Sequence, residues 1–443
     1  MRTPNGSWLL AAGVAAIFCS LTVEKAQAQA DPARVSPPAA PVRWSLGDVI
    51  ATAISRHPLI ARADAGIRAA VARREQAASV RLPQVAATAG FNWAETDLTS
   101  GGHDYPTTAT VKGTVSQLLT DFGRTGAAVA QAGDLAAAAA QDARSSRVEV
   151  VFAAAVAYFN VLRSVSLQDV RRETLHTREA LQRQAQAFFD AGLKARIDVV
   201  RAEANLVQAR ADAAGVEHEV HTARLILLNS MGIDGPADFE LTGAPDVLEA
   251  AGTLEDWQRE ADEKHPDLVA LRLQLAAARN NRLAKHRGNN PMITLGGSLG
   301  WSGTDELPSD RAWLVNAQLS VPVFDGFLTR QQTAEAEAAV AAAEFALENR
   351  RRQIRLLVEQ ADQAIRDAAE QLTASEKARE AFAENLRLAT GRYEAGAADI
   401  IEMIDAQLQI TTAETNVVSA RFDQATALAA LYRALGRLPQ AGS

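Results

Sequence analysis

Four stretches of the chain alternate apolar and polar residues with a period of two. In the first, Val85, Ala87, Ala89, Phe91 and Trp93 are apolar, while Gln84, Thr88 and Asn92 are polar. In the second, Val111, Val115 and Leu119 alternate with Thr110, Lys112, Thr114 and Ser116. In the third, Ile293, Leu295, Leu299 and Trp301 alternate with Thr294, Ser298 and glycines. In the fourth, Trp313, Val315, Ala317, Leu319 and Val321 alternate with Asn316, Gln318 and Ser320. Successive side chains of a strand point to opposite faces, so each stretch predicts a strand with one oily and one wet face. The expected strands cover residues 84–97, 107–120, 291–302 and 311–323. Strands of roughly 10–14 residues are long enough to cross a bilayer when tilted. Trp93, Trp301 and Trp313 lie near strand ends, where an interfacial aromatic belt sits.

Between these strands the apolar spacing changes to three and four. Val148, Phe152, Ala155, Phe159 and Leu162 form one seam, and Ile354, Leu357, Ala361, Ile365, Ala368 and Leu372 another. Such seams predict coiled-coil helices over residues 124–190 and 328–393. At about 1.5 Å per residue a helix of this length spans roughly 100 Å, more than a globular domain needs. Each long helix closes at a glycine, Gly192 or Gly396, and a return helix follows to Gly232 or Gly436.

The chain is a tandem repeat. His57-Pro58 matches His265-Pro266 at an offset of 265 − 57 = 208, as do Pro83 and Pro291. Farther on, Asp190-Ala191-Gly192 matches Glu394-Ala395-Gly396 at 396 − 192 = 204. The four-residue difference is expected in the strand region. The first repeat is placed at 45–235, a linker at 236–250 and the second repeat at 251–438. Four strands cannot close a barrel, and a membrane tolerates no open sheet edge, so other copies must complete them. Three copies give twelve strands.

Composition narrows the class. The chain is rich in Ala, Gln, Glu and Arg with only 5% aromatic residues, which suits long helices better than several globular domains. Net charge is −8, which argues against nucleic acid as a partner. Residues 9–18 (LLAAGVAAIF) follow Arg2 and precede the AxA patterns at Ala26–Ala28 and Ala28–Ala30, so 1–30 is expected to be a secretory signal peptide. Beyond it no apolar run approaches the ~20 residues of a membrane helix. Residues 31–44 form a Pro-rich leader. The single cysteine, Cys19, lies within the signal peptide and follows Phe18, where a lipid-anchor signal places a small residue.

Catalytic and metal motifs do not hold up. Gly296-Gly297-Ser298-Leu299-Gly300 fits G-x-S-x-G, but a nucleophile elbow needs a strand turning into a helix, and this segment continues as a strand. His218 and His221 are three apart, not the four of H-E-x-x-H. The chain is therefore read as a non-enzyme without metal or cofactor.

The chain resembles the TolC-type outer-membrane efflux and secretion family over nearly all of its mature length. The carriers are the signal peptide, the duplicated helix–strand–strand–helix–helix plan and two hairpin turns. The turns read Phe189-Asp190-Ala191-Gly192-Leu193 with Asp198, and Tyr393-Glu394-Ala395-Gly396 with Glu402. The resemblance implies a mainly α fold with a small β part: coiled-coil helices in two repeats, and four strands contributing to a trimeric 12-stranded barrel. It implies a homotrimer in outer-membrane lipid, gripped at its hairpin tips by a periplasmic adaptor and coupled to an inner-membrane pump, proton-driven or ABC-type. Cargo stays open between small molecules, metals and proteins. By position, Asp198 and Tyr393 match a hydrogen-bonded pair that holds the periplasmic mouth closed, and Glu402 and Asp405 match acid rings of the lumen. The adaptor contact maps to Gly192, Leu193 and Gly396. A second gate link is lost here because Ile197 and Ala398 stand at its positions, with Lys194, Arg196 or Arg201 as candidate substitutes. The alternative reading is a periplasmic structural coiled coil or adaptor-like protein without a membrane barrel.

Overall fold

A computed structural model describes residues 42–93, 96–97, 103–104, 107–243, 251–304 and 308–439. The expected signal peptide and nearly all of the Pro-rich leader lie outside them. After β1 (Val42–Trp44), the first repeat runs α1 (Leu46–Arg56), α2 (Pro58–Ser79), β2 (Gln84–Trp93), the two-residue strands β3 (Thr96–Asp97) and β4 (His103–Asp104), then β5 (Thr107–Thr120), α3 (Arg124–Asp190) and α4 (Arg196–Met231). Following β6 (Phe239–Leu241), the second repeat runs α5 (Leu254–Lys264), α6 (Pro266–His286), β7 (Met292–Thr304), β8 (Asp310–Ser320), α7 (Leu328–Glu394) and α8 (Ile400–Ala434). A 3-10 turn at Arg287–Asn289 precedes β7.

Matching caps start matching helices. Ser45 and Thr253 each form a capping box, with Asp48 and Asp256, at the start of α1 and α5. His57 and His265 cap α2 and α6, accepting an N–H through the imidazole Nδ1, and proline takes the first helical position of each. The long helices α3 and α7 are 67 residues each. Each starts three residues after an aspartate that reaches forward. Asp121 accepts the backbone N–H of Thr125 at 2.7 Å, and Asp325 accepts that of Thr329 at 2.8 Å. These pairs stand 204 residues apart, whereas β7 starts 292 − 84 = 208 after β2, so the four-residue difference falls between the strand starts and the long helices.

The strands form one antiparallel sheet in the order β2-β5-β7-β8, with β2 and β8 at its edges. Register lines up the oily residues: Ala89, Val111, Trp301 and Arg311 share one rung, and Ala87, Gly113, Leu299 and Trp313 the next. Arg311 on one rung and Gln117, in register with Leu295 and Ala317, on another interrupt that apolar face. Phe91, Trp93, Trp313, Val315 and Leu319 are exposed, and every residue of β2 and β8 is exposed. Among the described residues no layer covers the sheet. The fourth strand was expected to reach 323 but stops at Ser320, since Pro322 has no N–H for a ladder. Of the first strand expected at 84–97, Gln84–Trp93 and Thr96–Asp97 are strand, and residues 94–95 lie outside the described residues.

Helices pack as two antiparallel hairpins, α3/α4 and α7/α8, joined along α3 and α8. The largest apolar core sits near the middle of α3, where Val151, Ala154, Ala155, Tyr158 and Phe159 meet Leu46, Val49, Leu227, Met231 and Phe422. Alanines at these contacts let the backbones approach closely. The α7 seam differs from expectation at one step: Val358 is buried and Leu357 is 43% exposed, so the sequence of buried positions is Ile354, Val358, Ala361 and Ala368. One 18-residue window of α3 is apolar enough, by length and composition, to cross a membrane. That departs from the expectation of no such run, and 44% of the window is buried inside the fold.

Candidate functional site: the hairpin tips

Both hairpins turn in the same way. Gly192 has φ +73° and Gly396 φ +72°, a region that costs other L residues about 1–2 kcal/mol. A side chain at either position would meet no atom within 4 Å. Leu193 beside the first turn is 69% exposed. These residues therefore present open backbone and one bare leucine at the end of the helices.

Behind the turns the two hairpins share a small core. Leu181 and Ala185 of α3, Ala202 of α4, Tyr393 of α7 and Ile400 and Met403 of α8 form one buried cluster, with Phe188 packed against it. The rings of Phe188 and Tyr393 lie 6.0 Å apart. Tyr393 belongs to this cluster, and Asp198 is buried near enough to act on it electrostatically. The expected hydrogen bond between them is not formed. The Tyr393 hydroxyl is buried without a hydrogen-bond partner. Burial pushes its pKa up, and the nearby carboxylates of Asp198 and Asp399 push it in the same direction. The ring is held instead by apolar neighbours and by Lys194, whose Nζ lies 4.9 Å from the ring centroid.

Lys194 also spans the hairpins. Its ammonium donates to the carbonyl oxygen of Ala398 at 3.4 Å. Arg201 of α4 stands 3.8 Å from Asp399, which precedes α8. Two of the three candidate substitutes for the missing second link thus reach the second hairpin. Arg196 is exposed and makes no ion pair among the described residues.

The two acids of the expected lumen rings have different surroundings. Glu402 pairs with Arg392 at 3.0 Å, a partner the sequence reading had not considered. Asp405 is exposed, with no ion pair among the described residues. A polar layer lies between the tip cluster and the main core. Arg178 of α3 is buried and donates to Gln407 of α8, and Thr174 meets Thr411 at 3.3 Å. Burial pushes the Arg178 guanidinium pKa down. The spacing 174, 178, 181, 185 along α3 already carried this signal, since polar residues occupy two seam positions.

A sheet whose oily face is bare, set on helices of 67 residues that end in paired glycine turns, is the protomer of an outer-membrane channel with a helical extension. The chain belongs to the outer membrane efflux protein family, whose model matches residues 49–233 and 257–437, one match per repeat. It is 26% identical to the outer membrane protein TolC of Vibrio cholerae over 399 residues, covering 86% of this chain and 87% of that one. Outer membrane protein OprJ of Pseudomonas aeruginosa is 31% identical over 324 residues, covering 67% of this chain and 63% of its own length. Among solved structures, the outer-membrane channel OprN superposes with a TM-score of 0.78 at 23% identity, covering 88% of this chain and 89% of that one. The protein is accordingly an outer-membrane protein.

Proposed function

We propose that three copies of this chain form the outer-membrane exit duct of an export system, with the hairpin tips as its periplasmic gate. One observation carries the reading: a four-stranded sheet with two free edges and a largely exposed oily face. In lipid each unpaired backbone group costs several kcal/mol, so the edges must be paired between copies. Three copies pair β8 of one with β2 of the next and close a barrel of twelve strands, an even number as in single-chain bacterial barrels. The apolar face then meets lipid and the wet face lines the lumen.

The helical hairpins extend the lumen into the periplasm. Gly192, Leu193 and Gly396 offer the open, low-bulk surface on which a periplasmic adaptor grips. The adaptor links the duct to an inner-membrane pump, proton-driven or ABC-type. In the closed mouth Lys194 carries the contact assigned to Asp198 by resemblance, and Arg201 reinforces it. A cation over an aromatic ring contributes about 0.5–2 kcal/mol, small enough to release when an adaptor binds. Glu402 and Asp405 face the mouth as acid rings, the first partly neutralised by Arg392.

Light scattering of the detergent-purified protein tests the assembly, and planar-bilayer recording tests the duct. The expected result is a trimer that inserts as a cation-preferring channel of low conductance. A monodisperse monomer, or protein that stays soluble without detergent, overturns the reading.

A further inference from the structure

The wet face of the described strands carries one cation, Lys112, and one acid, Asp310, on adjacent rungs. Its residues are Gln84, Thr88 and Asn92 on β2, Thr108 to Ser116 at even positions on β5, Thr294 to Ser302 at even positions on β7, and Ala312 to Ser320 at even positions on β8. Among these Lys112 is the one cation; Asp310 faces the same side on the adjacent rung, opposite Ser302 and two strands across from β5. Lys112 is exposed and has no acidic partner among the described residues.

Its neighbours are built around it. Lys112 pairs with Thr88 on one side and Gly300 on the other. A Cβ at Gly300 would meet the Val111 carbonyl oxygen at 3.0 Å and touch Cβ and Cγ of Lys112 at 3.4 Å, so the glycine fits the close backbone and leaves the lysine stem uncrowded. Gly296 and Ser298 extend this low wall. The hydroxyls of Thr88, Thr110 and Thr114 each lean 3.4 Å onto a cross-strand carbonyl. The ammonium is then the strong donor left facing the wet side, on a flexible four-carbon stem.

We propose that Lys112 forms a threefold cationic ring in the barrel that holds anionic groups of passing cargo. This rests on the trimeric duct proposed above. It places a site of opposite sign to the acids Glu402 and Asp405 at the far end of the channel. Charged rings are a general selectivity device of pores. Magnitude sets where this one acts. Twelve strands about 4.8 Å apart and tilted about 40° give a backbone diameter of about 24 Å. The Debye length is about 8 Å at 0.15 M salt and about 30 Å at 0.01 M. At physiological salt the ring therefore acts on anions near the wall, and at low salt on the whole cross-section.

The test uses inorganic triphosphate on single channels of the full-length protein inserted from one side. At 10 mM KCl, triphosphate added on the barrel side should reduce the current, and added on the tip side should need at least tenfold more for the same block. Lys112→Arg should keep the effect. Lys112→Gln should need at least tenfold more triphosphate, and Lys112→Glu should exchange it for block by a trivalent cation. In 1 M KCl, where the Debye length falls to about 3 Å, the side difference should vanish. Block that is equal from both sides, or unchanged in Lys112→Gln channels of wild-type conductance, overturns the cationic ring and leaves the duct intact. Wild-type protein that forms no channel overturns the duct itself, and the ring with it.

Discussion

The two hairpin tips have one backbone and opposite charge. Both follow a 67-residue helix, both turn at a glycine with φ near +70°, and both resume as a helix after three residues in extended or turn conformation. From 190 to 201 the first turn carries three bases, Lys194, Arg196 and Arg201, and two acids, Asp190 and Asp198, whereas from 394 to 405 the second carries four acids, Glu394, Asp399, Glu402 and Asp405, and no base. Duplication has kept the fold of the turn and let its charge diverge. The outcome is a self-complementary mouth, in which a basic hairpin reaches an acidic one through Lys194 to the Ala398 carbonyl and Arg201 to Asp399. Identical charges on both turns would repel where the tips must pack.

The largest way to break this comparison is to block the open face of one turn. Gly192→Trp is expected to abolish export while leaving trimer assembly intact, measured by cargo release from cells and by light scattering. Gly192→Ala carries the same φ penalty without the bulk and should retain most export. The same pair at Gly396 shows whether the adaptor uses both hairpins or only the first. Equal export from both Gly192 variants would remove this turn from the adaptor surface.

Next comes the sign of the first tip. Lys194→Glu places a carboxylate against Asp399 and the Ala398 carbonyl and removes the cation over Tyr393. Single-channel conductance should rise several-fold, and Asp399→Lys in the same chain should bring it part of the way back. Conductance equal to wild type would show that Lys194 is not a latch.

Much of the fold was legible before any coordinates, for a physical reason. Period-two and period-3.6 patterns report burial directly, and the His-Pro and Gly signals of one repeat check those of the other. The glycine that ends α3 was readable because it recurs 204 residues later, whereas the Asp121–Thr125 and Asp325–Thr329 starts emerge only from the fold. Strand ends were less legible: Val321 continues the oily pattern, yet the backbone stops because of Pro322. The tip was legible as a place but not as a set of bonds. Asp198 and Tyr393 are both buried in the tip, but a side chain's direction depends on packing. Tyr393 turns its ring into Leu181, Ile400 and Met403, and no pattern along the chain states that. Arg392 was missed because it lies ten residues before Glu402, across the turn, outside any helix spacing.

A finer test separates the two acids of the mouth. Glu402 already has Arg392 at 3.0 Å, both half or more exposed or nearly so, and such a surface pair is worth at most about 1 kcal/mol. It nonetheless cancels much of the local field. Asp405→Ala should therefore lower cation preference more than Glu402→Ala, read as reversal potential across a salt gradient. Arg392→Ala should raise the preference by freeing Glu402. The opposite order would place Glu402 in the lumen and Asp405 outside it.

The smallest expected effect is at Tyr393, and it is informative because resemblance alone predicts a large one. If the hydroxyl bonded Asp198, Tyr393→Phe would unlatch the mouth and raise conductance. In the structure the hydroxyl is buried and unpaired, so the wild type already carries its desolvation cost. Removing a buried polar group that has no partner recovers a penalty of about 1–3 kcal/mol, less whatever local relaxation has already relieved. The ring, its contact with Phe188 and the Lys194 ammonium above it all survive the change. Tyr393→Phe should accordingly leave conductance unchanged and hold or slightly raise thermal stability. Tyr393→Leu, which removes the ring, should open the mouth by loss of the cation–π contact. Higher conductance in Tyr393→Phe than in wild type would restore Asp198 as the latch, through a bond made only in the assembled trimer.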